Sequence, residues 1–116
     1  MDKIPSHMTV IGISTPGGPD VLKPEQRDVP KPGAGELLIK VAAAGVNRPD
    51  VLQRMGKYVV PPGASDLPGL EIAGIVAALG EGVTKHKIGD KIMSLTSGGG
   101  YAEYCVVPDS HAISVP

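Results

Sequence analysis

The sequence predicts a mostly β fold, a small and partly open β-barrel with one or two short helices, and three observations lead to it. The 116 residues include 16 glycines and 12 prolines, which favour many turns and short elements over long helices. Phe and Trp are absent and only three Tyr occur, so the core has to be aliphatic. Short alternating segments also follow one another closely, as in small barrels. No domain boundary interrupts them, so we expect one domain over residues 1–116.

The first third of the chain predicts two strands and an irregular segment between them. Residues 8–14 alternate and are rich in β-branched side chains, which is typical of a strand. Residues 21–36 have many turn formers in their second half, which predicts an irregular or edge segment. Residues 36–46 contain Leu and Ala, which favour a helix, but their apolar residues also fit a period of two. The preceding Pro and Gly residues and the following Gly45 favour a strand.

A short helix is predicted over residues 47–56. Asn47 is a good N-cap, Pro49 is tolerated in the first turn, and Gly56 can end the helix. A proline-rich loop follows. The charged residues of this helix are interpreted as a solvated face: Arg48, Asp50 and Arg54.

The rest of the chain predicts strands again. Residues 70–80 are typical of a long, largely buried strand with a glycine bend at Gly74. Residues 91–95 and 101–107 predict two further strands, and a last short strand follows a turn in residues 108–116.

Charge and hydropathy exclude several classes of partner. Lys and Arg total 11 against 12 for Asp and Glu, so no net field attracts nucleic acid or an anionic membrane. The uncharged apolar stretch 72–80 is too short to span a bilayer. The polar N-terminus has no apolar centre of a secretory signal, and the single Cys105 cannot form an internal disulfide. We expect a cytoplasmic domain that contacts neither nucleic acid nor membrane.

Motifs for phosphate, metal or nucleophilic chemistry are missing. The glycine-containing segments lack the third glycine of a dinucleotide motif or precede a strand instead of a helix. The possible metal ligands have no paired spacing, so they are interpreted as ordinary surface or strand residues: Cys105, His7, His86 and His111. Cys105 lies in an alternating strand, which indicates a buried, inert thiol.

Two polar residues near the helix are candidates for a site. Asn47 either serves only as a cap or also has a functional role. Tyr58 follows the helix in the proline-rich loop, where its ring either packs or contacts a ligand. From the residues alone, both alternatives stay open for each side chain.

Glu71 places one carboxylate in an otherwise apolar, glycine-punctuated run, residues 69–82. A lone buried charge is costly unless it is paired or hydrogen-bonded. We therefore predict that Glu71 is held by hydrogen bonds to backbone or by a cation such as Arg48.

The order of several motifs resembles the medium-chain dehydrogenase/reductase superfamily, and more narrowly its zinc-free quinone oxidoreductase branch. These motifs are "GGPDVL", "KPGAGELLIKVAAAGVNRPDVLQRMGKY", "PPGASDLPGLEIAGIVAALGEGV", "IGDKIMSL" and "GGGYAEYCVVP", and the resemblance covers residues 8–116. It implies the N-terminal catalytic domain, a barrel related to the GroES co-chaperonin. It also implies that a Rossmann domain binding NADPH follows residue 116.

The resemblance further implies a site without zinc. Zinc alcohol dehydrogenases of the superfamily have Gly-His-Glu where this chain has Gly69, Leu70 and Glu71, and a cysteine ligand where it has Asn47. Leu has no lone pair, and a neutral amide is a poor zinc ligand beside thiolate or imidazole. With one Cys, the four-cysteine lobe that holds a structural zinc in many relatives cannot form. We expect no zinc.

By the same resemblance, hydride passes from NADPH to a quinone or similar conjugated carbonyl. Residues at the positions of Asn47 and Tyr58 lie around the nicotinamide and substrate, so both are predicted as catalytic and cofactor-binding residues. Some quinone reductases have a second tyrosine where this chain has Leu52. The full-length protein is expected to be a homodimer and this chain alone to be inactive. The alternatives are an enoyl or alkenal reductase of the superfamily, a free-standing GroES-like binding or assembly module, and a zinc alcohol dehydrogenase with unusual ligands.

Overall fold

The computed structural model describes residues 4–116. Residues 1–3, which belong to the predicted domain and to the polar N-terminus, lie outside the described residues. The described strands form two sheets that do not close into a barrel. Within residues 4–116 there is one α-helix, and two short 3-10 turns accompany it. The prediction of a mostly β, partly open fold with one or two short helices is confirmed.

The smaller sheet has two antiparallel strands. Strand β1 (His7–Ile13) pairs along its length with β2 (Leu22–Asp28), and a 3-10 turn lies between them. The first strand was predicted, and β2 occupies the segment predicted as irregular or edge. Pro24 lies inside β2, opposite Ile11. Because proline has no N–H to donate, it is tolerated in such an edge strand.

The larger sheet has five antiparallel strands in the order β6-β3-β4-β5-β7. They are β3 (Glu36–Ala44), β4 (Glu71–Leu79), β5 (Lys91–Leu95), β6 (Tyr104–Pro108) and β7 (Ala112–Ser114). The strand interpretation of residues 36–46 is therefore confirmed.

Strand β6 begins at Tyr104, three residues later than the predicted start at residue 101. The three residues before it connect the two sheets. Ala102 forms an isolated bridge with Val10, and the Glu103 carbonyl accepts a hydrogen bond from the Val41 N–H. Their hydrogen bonds are thus divided between the sheets, and no regular ladder can begin there.

The core is aliphatic, as predicted, and it has two parts. One cluster contains Leu37, Ile39, Ile72, Val76, Ile92, Cys105 and Val107. The other contains Met8, Val10, Leu38, Leu67 and the aromatic Tyr104. Successive side chains of a strand point to opposite faces, so β3 contributes Leu37 and Ile39 to the first cluster and Leu38 to the second.

The structure explains the glycine at position 74 by a close approach of two strands, not by the predicted bend. Strand β4 runs through it without interruption, and β3 shifts register opposite it, between Val41 and Ala43. A Cβ at Gly74 would overlap the Lys40 carbonyl oxygen. The glycine therefore permits two backbones to approach closely.

The predicted helix is confirmed as α1 (Arg48–Arg54). Asn47 is its N-cap, and Gly56, just past the C-cap Met55, has a φ of 78°. Glycine is favoured in this left-handed conformation. None of the helices described in residues 4–116 has the length and apolar character needed to cross a membrane.

Candidate functional site

The first turn of α1 is fixed by a carboxylate inside the helix. Asp50 Oδ2 accepts a hydrogen bond from the Asn47 backbone N–H over 3.0 Å. A carboxylate in the first turn is also favoured by the partial positive charge of the helix N-terminus. The structure therefore confirms Asn47 as the N-cap and adds that its backbone is held in place.

The side chain of Asn47 reaches across to strand β4. Its Nδ2 donates a hydrogen bond to Oε1 of Glu71 over 3.2 Å. Asn47 is half-buried and Glu71 is exposed, so the pair lies at the surface where α1 meets β4.

Glu71 differs from its prediction in two respects. It is exposed, because it is the first residue of β4 and the buried positions begin with Ile72, so a burial cost does not arise. Its partner is the Asn47 amide, and within residues 4–116 no ion pair joins it to Arg48.

Asp50 is a correction to the predicted solvated helix face. Its exposed fraction is 4%. Besides the Asn47 N–H, it accepts the Gly69 N–H at Oδ1 over 2.9 Å and the Tyr101 hydroxyl at Oδ2 over 3.2 Å. Arg48 is exposed as predicted, whereas Arg54 is half-buried and donates from Nε to the Gly17 carbonyl over 3.1 Å.

Tyr101 was missed by the sequence reasoning. Burial, followed by the charge of Asp50 and the hydrogen bond to it, raises the pKa of Tyr101 to about 12. The hydroxyl therefore stays protonated and donates to Asp50 at neutral pH. The spacing of Asn47 and Asp50 was a signal for a capping box. Nothing local connected Asp50 with residues 69 and 101.

Tyr58 is half-buried in the loop after α1 and makes no hydrogen bond to the other described residues. It is not brought into hydrogen-bond contact with Asn47. The loop itself is anchored further along, where both Asp66 carboxylate oxygens accept from Arg27, over 2.6 and 2.8 Å. Arg27 lowers the pKa of Asp66, and Gln53 donates to the Asp66 carbonyl over 2.8 Å.

An apolar groove of about 470 Å³ shares Glu71 with this site, whereas Asn47 and Tyr58 are not among its lining residues. Glu71 is part of its lining, together with Ala43, Ala44, Gly45, Ile72, Ala73, Met93, Ser94, Leu95 and Ile113. Leu95 and Ile113 are 67% and 60% exposed, which is high for large apolar side chains. The groove thus has one carboxylate, that of Glu71, and apart from Ser94 its other lining residues are apolar or glycine.

The residues considered as metal ligands are not brought together. Among residues 4–116, no three or more His, Cys, Asp or Glu side chains are grouped to hold a metal ion. His7 lies 3.3 Å from Asp28 on the small sheet, and Cys105 is in the core. Burial raises the pKa of Cys105 to about 11, which agrees with the predicted inert thiol. Around Glu71 the donor set, one carboxylate and one amide, does not fit zinc.

Comparison with known proteins relates the chain to one family and to proteins of greater length. Residues 33–116 match the family described as the alcohol dehydrogenase GroES-like domain. The chain is 43% identical over 112 residues to the quinone oxidoreductase of Lama guanicoe, a match that covers 94% of this chain and 34% of that protein.

Solved structures also relate the chain to part of longer proteins. The human synaptic vesicle membrane protein VAT-1 homolog-like protein is similar with a TM-score of 0.87 and 34% identity, over 95% of this chain and 36% of that one. Mycobacterial Rv1454c, solved in complex with NADPH, has a TM-score of 0.80 and 39% identity, over 94% of this chain and 32% of its own. The chain spans about a third of the length of these relatives.

Proposed function

Because the chain belongs to the alcohol dehydrogenase GroES-like domain family of the medium-chain dehydrogenase/reductase superfamily, we propose that it forms the catalytic domain of an NADPH-dependent, zinc-free quinone oxidoreductase. A separate domain, in the two thirds of the relatives' length that this chain does not span, binds most of the cofactor. The substrate is a quinone or a similar conjugated carbonyl.

The observation that supports this proposal best is the pairing of Asn47 with Glu71 at the N-terminus of α1. In a hydride transfer to a carbonyl, negative charge develops on the substrate oxygen, and a fixed hydrogen-bond donor there lowers the barrier. The Asn47 amide has two N–H groups, and Glu71 accepts one of them. The second N–H is the proposed donor to the substrate oxygen.

NADPH, when bound, supplies the hydride from its nicotinamide ring. Asn47 and Tyr58 are the residues proposed to contact that ring and the substrate. Both are neutral and half-buried, so they can donate hydrogen bonds without placing a charge beside the hydride. The apolar groove next to Glu71 suits a flat, conjugated substrate.

The donor set supports chemistry that does not depend on zinc. An alcohol must lose its proton before it can donate hydride, which is the task of zinc in dehydrogenases. A quinone is already an electrophile and needs a nearby hydride donor and a hydrogen bond. Leu70 and Asn47 offer no strong zinc ligand beside Glu71.

A chimeric enzyme tests the proposal. The residues of the Lama guanicoe quinone oxidoreductase that match this chain are replaced by it, and NADPH-dependent reduction of a quinone, an enone and an alkenal is compared. We expect quinone reduction to be fastest, Asn47→Ala to lower kcat at least about tenfold, and elemental analysis to find no stoichiometric zinc. Arg48→Ala is the matched control, since Arg48 is exposed and adjacent.

Several results would contradict the proposal. A chimera that folds, binds NADPH and does not reduce quinones would exclude the quinone activity. Faster turnover of the enone or alkenal would assign the chain to the reductase alternative. Stoichiometric zinc would overturn the metal-free site.

A further inference from the structure

Asp50 is a charged side chain in the interior of the chain, and it connects three separate segments. Its three hydrogen-bond donors are Asn47 at the N-cap of α1, Gly69 in the turn that enters β4, and Tyr101 in the segment that precedes β6. All three distances lie between 2.9 and 3.2 Å, and 4% of the residue is exposed. A buried carboxylate is stable only when donors surround it in this way.

These hydrogen bonds hold the backbone next to both the Asn47 amide and the Glu71 carboxylate. Asp50 holds the backbone N–H of Asn47 directly, and it holds the N–H of Gly69, which enters β4 just before Glu71. The two ends of the surface hydrogen bond are therefore anchored to one buried group.

The anchored segments are also packed tightly against each other. Gly69 has a φ of 103°, and a Cβ there would lie 2.6 Å from the Tyr101 backbone nitrogen. Gly100 donates to the Gly69 carbonyl over 3.1 Å, and Tyr101 donates to the Pro68 carbonyl over 3.1 Å. A shift of the segment around residue 69 therefore moves the segment around residue 101 as well.

We propose that Asp50 is a positioning residue that sets the geometry of the Asn47 amide through its hydrogen bonds to Asn47, Gly69 and Tyr101. The inference rests on the proposed function, in which that amide faces the substrate oxygen. Asp50 itself does not contact substrate or cofactor in this proposal.

Asp50→Asn in the chimera tests the kinetic consequence. The amide has one acceptor oxygen, so its NH₂ must face either the Gly69 N–H or the Asn47 N–H, and one hydrogen bond becomes a repulsion. Because small misplacements of a catalytic group lower turnover strongly, we expect kcat to fall about 10- to 100-fold while KM for NADPH stays within about twofold. Asp90→Asn is the matched control, since among the described residues the Asp90 carboxylate accepts one hydrogen bond, from the turn N–H of Lys87 over 3.0 Å.

A second measurement does not depend on quinone reduction. In the ¹H–¹⁵N spectrum of the 116-residue chain, the Asn47 side-chain NH₂ pair is assigned and followed in the same variants. We expect Asp50→Asn to move this pair toward the position of a free amide, and Asp90→Asn to leave it in place. If the chimera is inactive with every quinone, the proposed function fails while this spectrum still decides the role of Asp50.

Two outcomes would overturn the proposal. One is a folded Asp50→Asn protein with a parental Asn47 NH₂ pair; the other is a chimera with that substitution and parental kcat. Where Asp50→Asn does not fold, Tyr101→Phe serves instead, because it removes one donor to Asp50 and leaves the carboxylate. We expect a smaller shift of the same resonances and a loss in kcat of about threefold to tenfold, and no change in either would equally overturn it.

Discussion

Asn47 and Glu71 join the N-terminus of α1 to the first residue of β4 through one hydrogen bond, 3.2 Å from Nδ2 to Oε1. Both residues are also fixed through their backbones: the Asn47 N–H binds Asp50, and the Glu71 carbonyl accepts the Gly45 N–H over 3.1 Å. An exposed carboxylate at the start of an apolar strand is thus explained by a neutral amide partner.

Substitution of Glu71 separates stability from the proposed catalytic role. Because this side chain is exposed and makes one side-chain hydrogen bond, Glu71→Leu should cost at most about 1 kcal/mol in the free energy of unfolding. The chimera should lose about tenfold in kcat, because the Asn47 amide is no longer oriented. Glu71→Gln should lose less, since its carbonyl can still accept.

Urea denaturation and steady-state kinetics measure the two effects. Glu81→Gln is the control, because the Glu81 side chain is exposed and makes no hydrogen bond to the other described residues. Parental kcat together with a parental denaturation midpoint in Glu71→Leu would show that the Asn47–Glu71 hydrogen bond contributes to neither catalysis nor stability.

Gly45→Ala should disturb the same pair at the Glu71 carboxylate. A Cβ at Gly45 would overlap the Glu71 carboxylate. The overlapping atoms are at the far end of a flexible side chain, so the carboxylate can rotate away. We therefore expect a small change in the denaturation midpoint and a fall in kcat like that of Glu71→Gln. Gly18→Ala is the matched control, since its φ is −77° and its Cβ would lie 3.4 Å from Asp20 Oδ1. Equal kinetics in the two variants would count against the proposed role of Glu71.

Local patterns predicted most elements of this fold, and the burial of Asp50 was missed because it depends on residues far apart in the chain. Alternation and β-branching predicted β1 and β3, and Asn47 with Gly56 predicted both ends of α1. The charged residues of α1 lie close together in the sequence, and this local pattern predicts one solvated face for all of them. Asp50 is buried by Gly69 and Tyr101, whose approach is set by the packing of the sheets.

The same distinction applies to the candidate site. The resemblance predicts Asn47 and Tyr58 as site residues, and the structure gives Asn47 a defined partner in Glu71. A lone carboxylate between apolar residues looked buried in the sequence, because strand faces cannot be assigned where both sides are apolar or glycine. Glu71 is exposed since it begins β4 at the surface.

Gly74→Ala should destabilise the larger sheet. The added Cβ would overlap the backbone carbonyl of Lys40 and lie 2.8 Å from Cγ2 of Ile39, and backbone cannot rotate aside as a side chain does. We expect a loss of about 1–3 kcal/mol in the free energy of unfolding, measured by urea denaturation. For Gly12→Ala, in β1, the three atoms nearest the added Cβ belong to the movable carboxylate end of Glu25, so this substitution should cost less. An equal or smaller loss for Gly74→Ala would contradict the close approach of β3 and β4.

Tyr101 should make stability depend on pH in the alkaline range. Its pKa is raised from 10.0 to about 12 in the folded chain, first by burial and then by Asp50. The folded state therefore holds this proton more tightly than the unfolded state. The resulting stabilisation is fully present below pH 10 and is lost as the pH rises through about 12.

Tyr101→Phe has no such proton, so the stability difference between parent and variant should shrink over this interval. Urea midpoints of both proteins, taken in steps from about pH 8 upward, measure that difference, in which the other titrating groups cancel. A difference that stays constant across the interval would show that Tyr101 does not lie against a buried, charged Asp50.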